Sequence, residues 1–177
     1  MAAKSWIAVL YFLLVSLLAG MPRSRHGFGL LLLSLAAPCA DAPIVPHTVC
    51  EILHDLAAME QNPVAVLGRY SFRQDGLRLD EQACDGISGP AVLWLNEDTK
   101  NAPKPPANFA LDGAALNQKL NNLQKHTSLT KFRFGSPDYD RWAVVYGKIE
   151  RRVGEAAKKA AANLVYRGDG VVVFLTP

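Results

Sequence analysis

The sequence predicts a mainly β protein with two helices: a five-stranded Greek-key barrel, one helix ahead of its first strand and another between strands three and four. Three observations lead there. Pro63–Arg73, PVAVLGRYSFR, reads as one long strand: Val64 to Leu67 are apolar without a break, so both faces are covered, while Arg69, Ser71 and Arg73 then alternate with Tyr70 and Phe72. Ala143–Ile149, AVVYGKI, repeats the design of four apolar residues, a glycine, a base and an apolar residue. A glycine inside a strand marks a bulge or a bend, so Gly68 and Gly147 are the positions where a sheet would curl closed.

The chain is 50% apolar and 20% charged, but the apolar residues crowd into the first forty positions. Trp6 to Gly20 follows Lys4, and Gly27 to Ala37 follows Arg23, Arg25 and His26. Each run falls short of the roughly 20 residues that span a bilayer. The second has the basic, Leu-rich and small-residue order of a signal peptide, ending near Ala42, with Met21 as an alternative start. Residues 1–42 are thus expected to be a signal peptide, and residues 43–177 a single exported domain, periplasmic or extracellular. The alternative is a membrane anchor over residues 6–21, which would be the chain's one contact with a membrane.

Processing after residue 42 removes Lys4, Arg23, Arg25 and Asp41, so the 19 bases and 16 acids become 16 and 15 and the net charge falls from +3 to +1. That near-neutral domain lacks the broad basic footprint of a nucleic-acid binder. The same cut removes Cys39 and leaves Cys50 and Cys84, an even count that predicts one disulfide in an exported chain. Closing such a loop contributes about 3 to 4 kcal/mol in the chain-entropy description.

Thr48 and Glu51 have capping-box spacing, so a helix should start there, carry Val49, Ile52, Leu53 and Leu56 on one stripe, and stop at Asn62-Pro63. After the long strand, Gln74-Asp75-Gly76 is a turn and Leu77 to Asp80 the returning strand. Ala91–Leu95, AVLWL, is a short buried strand, and Asn96 to Asn108, with Pro103, Pro105 and Pro106, is an exposed connection. Asp112 caps a second helix facing inward through Leu116, Leu120 and Leu123. Lys131 to Phe134 alternates briefly before a turn at Gly135–Asp138, and Arg141 to Arg151 holds the second glycine-centred strand. Ala-rich Glu155–Asn163 is either a short helix or a mobile loop, and Val171 to Leu175 is the expected fifth barrel strand.

This order of elements resembles the OB-fold. At Val49-Cys50, Val64 to Tyr70, Asp75-Gly76, Leu79 and Cys84 the chain also resembles a group of small exported bacterial proteins of OB-like form and uncharacterised function. The likeness is best over Thr48 to Leu95, with weaker support from Trp142 to Arg151. It implies architecture and supplies no catalytic residues.

No catalytic, cofactor or metal motif stands out. His47, Cys50 and His54 have helical ligand spacing, but only three ligands are visible and Cys50 has a use in the disulfide. Asp138, Asp140, Glu150 and Asp169 lie near turns and strand ends, and Ser88 lacks nucleophile-elbow spacing. If Gly68 and Gly147 point inward, period two sends Val66, Tyr70, Val145 and Ile149 inward and Arg69, Arg73, Trp142, Tyr146 and Lys148 outward. Those five, with Arg151 and Arg167 at the same end, make a candidate ligand face. The alternative is that a helix covers Trp142 and Tyr146 and the bases are ordinary solubility charges. The expected function is a non-enzymatic exported module that binds a partner protein or envelope ligand through the barrel face or the loop before the last strand. The alternative function is binding of single-stranded nucleic acid or an anionic oligosaccharide.

Overall fold

The computed structural model describes residues 42–127, 139–168 and 172–175, all within the unit Ala40–Pro177. The signal-peptide or anchor reading of residues 1–42 falls almost wholly outside these residues, as do Lys131–Phe134, Asp138 and Asp169. No helix among the described residues is long and apolar enough to cross a membrane.

In chain order the elements are β1 (His47–Thr48), α1 (Val49–His54), α2 (Leu56–Met59), β2 (Pro63–Arg73), β3 (Gly76–Asp80), β4 (Val92–Glu97), α3 (Gly113–His126), β5 (Tyr139–Arg151), β6 (Ala162–Tyr166) and β7 (Val172–Leu175). The capping box forms: the Thr48 hydroxyl accepts from the Glu51 N–H at 3.2 Å, and Glu51 Oε2 accepts from the Thr48 N–H at 3.0 Å. The expected single helix up to Asn62 breaks at Asp55 into α1 and α2. The segment after α2 then turns to β5, where Ile149 O accepts from Gln61 N–H at 2.8 Å, so that contact replaces further helical turns. Asp112 caps α3 by accepting from Ala115 N–H at 3.0 Å.

Five strands close a ring, β2-β3-β4-β6-β5 and back to β2. All neighbours are antiparallel except β4 and β6, which are parallel. The chain therefore contains a closed five-stranded barrel built around two long strands. β2 and β5 pair in one unbroken register from Pro63↔Lys148 to Phe72↔Tyr139. Neither Gly68 nor Gly147 interrupts it, so these glycines are not bulges in that pairing. Their use is close approach: a Cβ at Gly68 would stand 3.0 Å from Val49 Cγ2, and one at Gly147 would fall on the Val165 carbonyl.

Among the described residues there are seven strands where five were expected, because each long strand shares its second edge between two short ones. β1 lies beside Val66 and Leu67 of β2, and β3 takes over from Arg69. On β5, β6 covers Gly147 to Arg151 and β7 covers Trp142 to Val145. The fifth barrel strand is therefore β6, which starts at Ala162, in the last two residues of the Glu155–Asn163 stretch expected to be a helix or mobile loop, and runs on past it to Tyr166. Only a 3₁₀ turn at Gly154–Lys158 precedes it. The expected last strand, β7, continues the same edge: Gly147 faces Tyr166 and Val145 faces Val172, so two residues on β5 match six on its partner.

Register divides the barrel into two faces. Val66, Tyr70, Leu79, Leu93, Val145, Ile149 and Leu164 share the inner face and are buried, with Val49 and Ile52 of α1 in the same cluster. The outer face carries Arg69, Ser71, Arg73, Arg78, Asp80, Trp94, Asp140, Trp142, Val144, Tyr146 and Lys148.

Candidate functional site

Outward-pointing does not mean exposed here. Trp142 and Tyr146 are 5% and 7% exposed, so they offer no open aromatic surface. The cover on Tyr146 includes Phe109, from the connection ahead of α3, whose ring meets it edge-on at 5.4 Å. Desolvation raises the Tyr146 phenol above its ordinary pKa, in keeping with that position.

Arg69 and Arg73 belong to a charge ladder across three strands. Arg69 Nε donates to Asp80 Oδ1 at 2.5 Å and Arg73 Nη2 to Asp140 Oδ1 at 2.5 Å. Between them the Ser71 hydroxyl lies 2.6 Å from Asp140 and 3.3 Å from Asp80. A hydroxyl has one proton, so the shorter contact to Asp140 takes it. Both carboxylates and the serine are buried. This brings Asp140, read from sequence as one of several carboxylates near turns and strand ends, together with Asp80, read as the end of the returning strand. With an arginine against each acid, the cluster ties β2 to β3 and β5.

The remaining face residues separate. Lys148 pairs with Glu150 at 2.9 Å, Arg151 with Glu60 at 3.5 Å, and Arg167 donates to the Thr99 carbonyl at 2.6 Å. Of the seven residues, two are covered, two are held in the ladder and three have local partners.

What the outer face does offer is a groove of about 450 Å³ beside the ladder, lined by Arg69, Arg78, Asp80, Trp94 and Lys159. Arg78 and Trp94 are directly opposite on β3 and β4, so their side chains leave the same face as neighbours. The hairpin before β3 admits the indole because residue 76 is glycine: its φ is +132°, and a Cβ would stand 2.7 Å from the Trp94 ring. Arg152, at the end of β5, places its guanidinium 5.6 Å from the Trp94 ring centroid. Neither Arg152 nor Lys159 has an acidic partner among the described residues.

Two buried donors here have no acceptor, Arg78 Nε and Trp94 Nε1. Arg78 Nε is 3.5 Å from Asp80 Oδ2, an ion pair without hydrogen-bond alignment. Leaving such a donor unsatisfied costs about 1–3 kcal/mol, more than the about 0.5–1 kcal/mol of an exposed cation–π contact. Trp94 as a site residue was missed by sequence reasoning, which read AVLWL only as a buried strand. Its alternation with the inward Leu93 and Leu95 is the signal that could have found it.

A second cleft, about 640 Å³, lies between α1, α3 and the loop after β3. Along its wall the disulfide joins Cys50 to Cys84, with α-carbons 5.3 Å apart. Glu81 Oε2 accepts from the Cys50 N–H at 2.5 Å, yet burial, aided by the charge of Glu51, raises its carboxyl above the ordinary value. Glu51 moves the other way: burial pushes it up, but the Lys119 ammonium at 2.5 Å and the Thr48 N–H outweigh that and lower it. Among the described residues the one His, Cys or acid group tight enough for an ion is Cys50, Glu81 and Cys84, and the disulfide occupies both sulfurs. The His47, Cys50 and His54 set does not gather; His47 Nδ1 is instead 3.6 Å from Glu51.

No protein-family model, no curated protein and no solved structure matches the chain.

Proposed function

We propose that this chain is a non-enzymatic exported binding module of OB-fold-like form. It recognises a partner protein or envelope ligand where the outer face of β3 and β4 meets the loop before β6. The ring order, with β4 and β6 as its one parallel pair, supports the OB-like reading. Export is supported by the Cys50–Cys84 disulfide, at home in an oxidising compartment. The observation that carries the functional reading is the convergence of Arg152 and Lys159, from the two ends of one loop, on the Arg78–Trp94 pair.

The same cations beside an indole favour a second reading, in which a single-stranded nucleic acid or anionic oligosaccharide is the ligand. Photo-crosslinking in the native host tests both. A benzophenone side chain at position 159 should trap one identifiable envelope component, and the same group at position 125 of α3, which lines neither cavity, should not. The component should be lost on Lys159→Glu in a co-purification. Equal trapping at both positions overturns the reading. Selective oligo(dT) binding that weakens steeply with salt would replace it with the second.

A further inference from the structure

We propose that the group recognised in this groove is an oxyanion with at least two acceptor oxygens, seated on the Arg78–Trp94 pair between Arg152 and Lys159. The inference rests on the functional reading above for where the ligand binds, and adds its chemistry. Arg78 and Trp94 stand side by side on one face, each with a buried N–H lacking an acceptor. An indole only donates and a guanidinium only donates, so neither can satisfy the other. Whatever satisfies both must bring lone pairs.

Charge decides what kind of acceptor fits. Asp80 already faces Arg69, Arg78 and Ser71, and the Glu81 carboxylate takes the Cys50 N–H. The remaining acid on the rim is Asp75, 3.9 Å from Arg78 with its side chain 62% exposed. Against it stand Arg152 and Lys159, without acidic partners among the described residues. A water molecule could accept from the two donors but would leave those cations uncompensated. A carboxylate or phosphate answers both, and planar or tetrahedral oxygens suit a guanidinium. The indole N–H of Trp94 is one of the two donors the anion would engage, and Arg152 lies 5.6 Å from the centroid of the same ring, which makes Trp94 the reporter.

The test uses the full chain with its tryptophans labelled at the indole nitrogen, titrated with inorganic phosphate, sulfate or acetate against chloride at matched ionic strength. Trp94→Phe assigns the signal. The Trp94 N–H resonance should shift saturably with the oxyanions and not with chloride. Lys159→Ala should weaken the effect about tenfold, the worth of one charged hydrogen bond. Asp75→Asn, which removes the competing carboxylate, should strengthen it severalfold. A Trp94 shift no larger with phosphate than with chloride overturns the inference, as does indifference to Asp75→Asn. If a partner is still trapped at position 159, the binding-module reading then survives alone. Saturable phosphate binding without a trapped partner leaves the oxyanion site standing and removes that reading.

Discussion

Replacing Gly147 by alanine should be far more damaging than the same change at Gly68 or Gly168, although all three glycines have close neighbours. At Gly147 the added Cβ would fall on the Val165 carbonyl oxygen, with Val165 C at 3.1 Å and Leu164 Cδ1 at 3.0 Å. The obstacle is the backbone of β6, paired on its far side to β4, so it cannot retreat without opening the barrel. Overpacking of this kind costs about 1–3 kcal/mol, and a fixed backbone puts this case at the top, about 3 kcal/mol. The gain from a less flexible unfolded chain offsets about 0.5–1 kcal/mol, leaving about 2 kcal/mol lost. At Gly68 the nearest atom is a Val49 methyl at 3.0 Å, which can shift with α1, so the two effects nearly cancel, within about 1 kcal/mol. At Gly168 the obstacle is the carboxylate end of Glu97, with Cδ at 2.6 Å, and an exposed side chain swings aside for about 0.5 kcal/mol or less. Urea unfolding of the full-length variants, followed by circular dichroism, gives the three losses from the midpoints if the slope is unchanged. A Gly147→Ala loss within about 0.5 kcal/mol of the Gly68→Ala loss would refute the steric account of barrel closure.

Intact mass should show the chain two hydrogens lighter than its reduced form, and Cys50→Ser with Cys84→Ser should cost about 3–4 kcal/mol; two alkylatable thiols in freshly isolated protein would contradict the bond. Glu81 has a raised folded pKa, so the proton it binds stabilises the fold below the unfolded value of 4.5, and that contribution is lost as pH rises through the folded value. Glu81→Gln should accordingly raise the melting temperature at pH 7 and leave it nearly unchanged at pH 4, whereas a uniform loss at both would show the carboxylate to be stabilising. Asp140→Asn should cost about 3 kcal/mol by removing the charge against Arg73, whose side chain is only 12% exposed. Adding Arg73→Met should recover part of it in the same unfolding assay, and no recovery would mean the tie is not an ion pair in effect.

Local chemistry was legible where neighbours in sequence supply the partner. The capping box needs only Thr48 and Glu51, and the Cys50–Cys84 bond needs only an even count and a compartment. The alternation about Gly68 and Gly147 gave the side each residue faces, since a continuous register preserves parity. β6 was hidden because Ala160, Ala161 and Ala162 look helical when counted by propensity. In the barrel Ala162 is opposite Leu93 and fully buried, a place where a small side chain lets two parallel strands approach. Tertiary packing overrides propensity there. Gly168-Asp169-Gly170 signals a turn between the last two strands, but that both β6 and β7 pair with β5 is a matter of long-range register that no local signal carries.

The site was harder to read than the fold, because exposure and charge are properties of the whole surface. Alternating Arg69, Ser71 and Arg73 looks like a solvated half of a strand, and only pairing with Asp80, 11 residues on, and Asp140, 67 residues beyond Arg73, turns it into a buried tie. The net charge misleads for the same reason. A domain near +1 can still hold a positive groove if its acids are spent elsewhere, as Asp80 is on Arg69, Asp140 on Arg73, Glu51 on Lys119 and Glu150 on Lys148. Each such pair cancels in the sum and leaves Arg152 and Lys159 beside Trp94 without counter-charge among the described residues. Net charge sets the long-range attraction of a polyanion, which is screened within about 8 Å at physiological salt. A small group already inside the groove feels the local imbalance instead. On the proposed reading, that separation of scales is how a nearly neutral domain would take a single oxyanion on a partner or envelope ligand in preference to a nucleic-acid backbone.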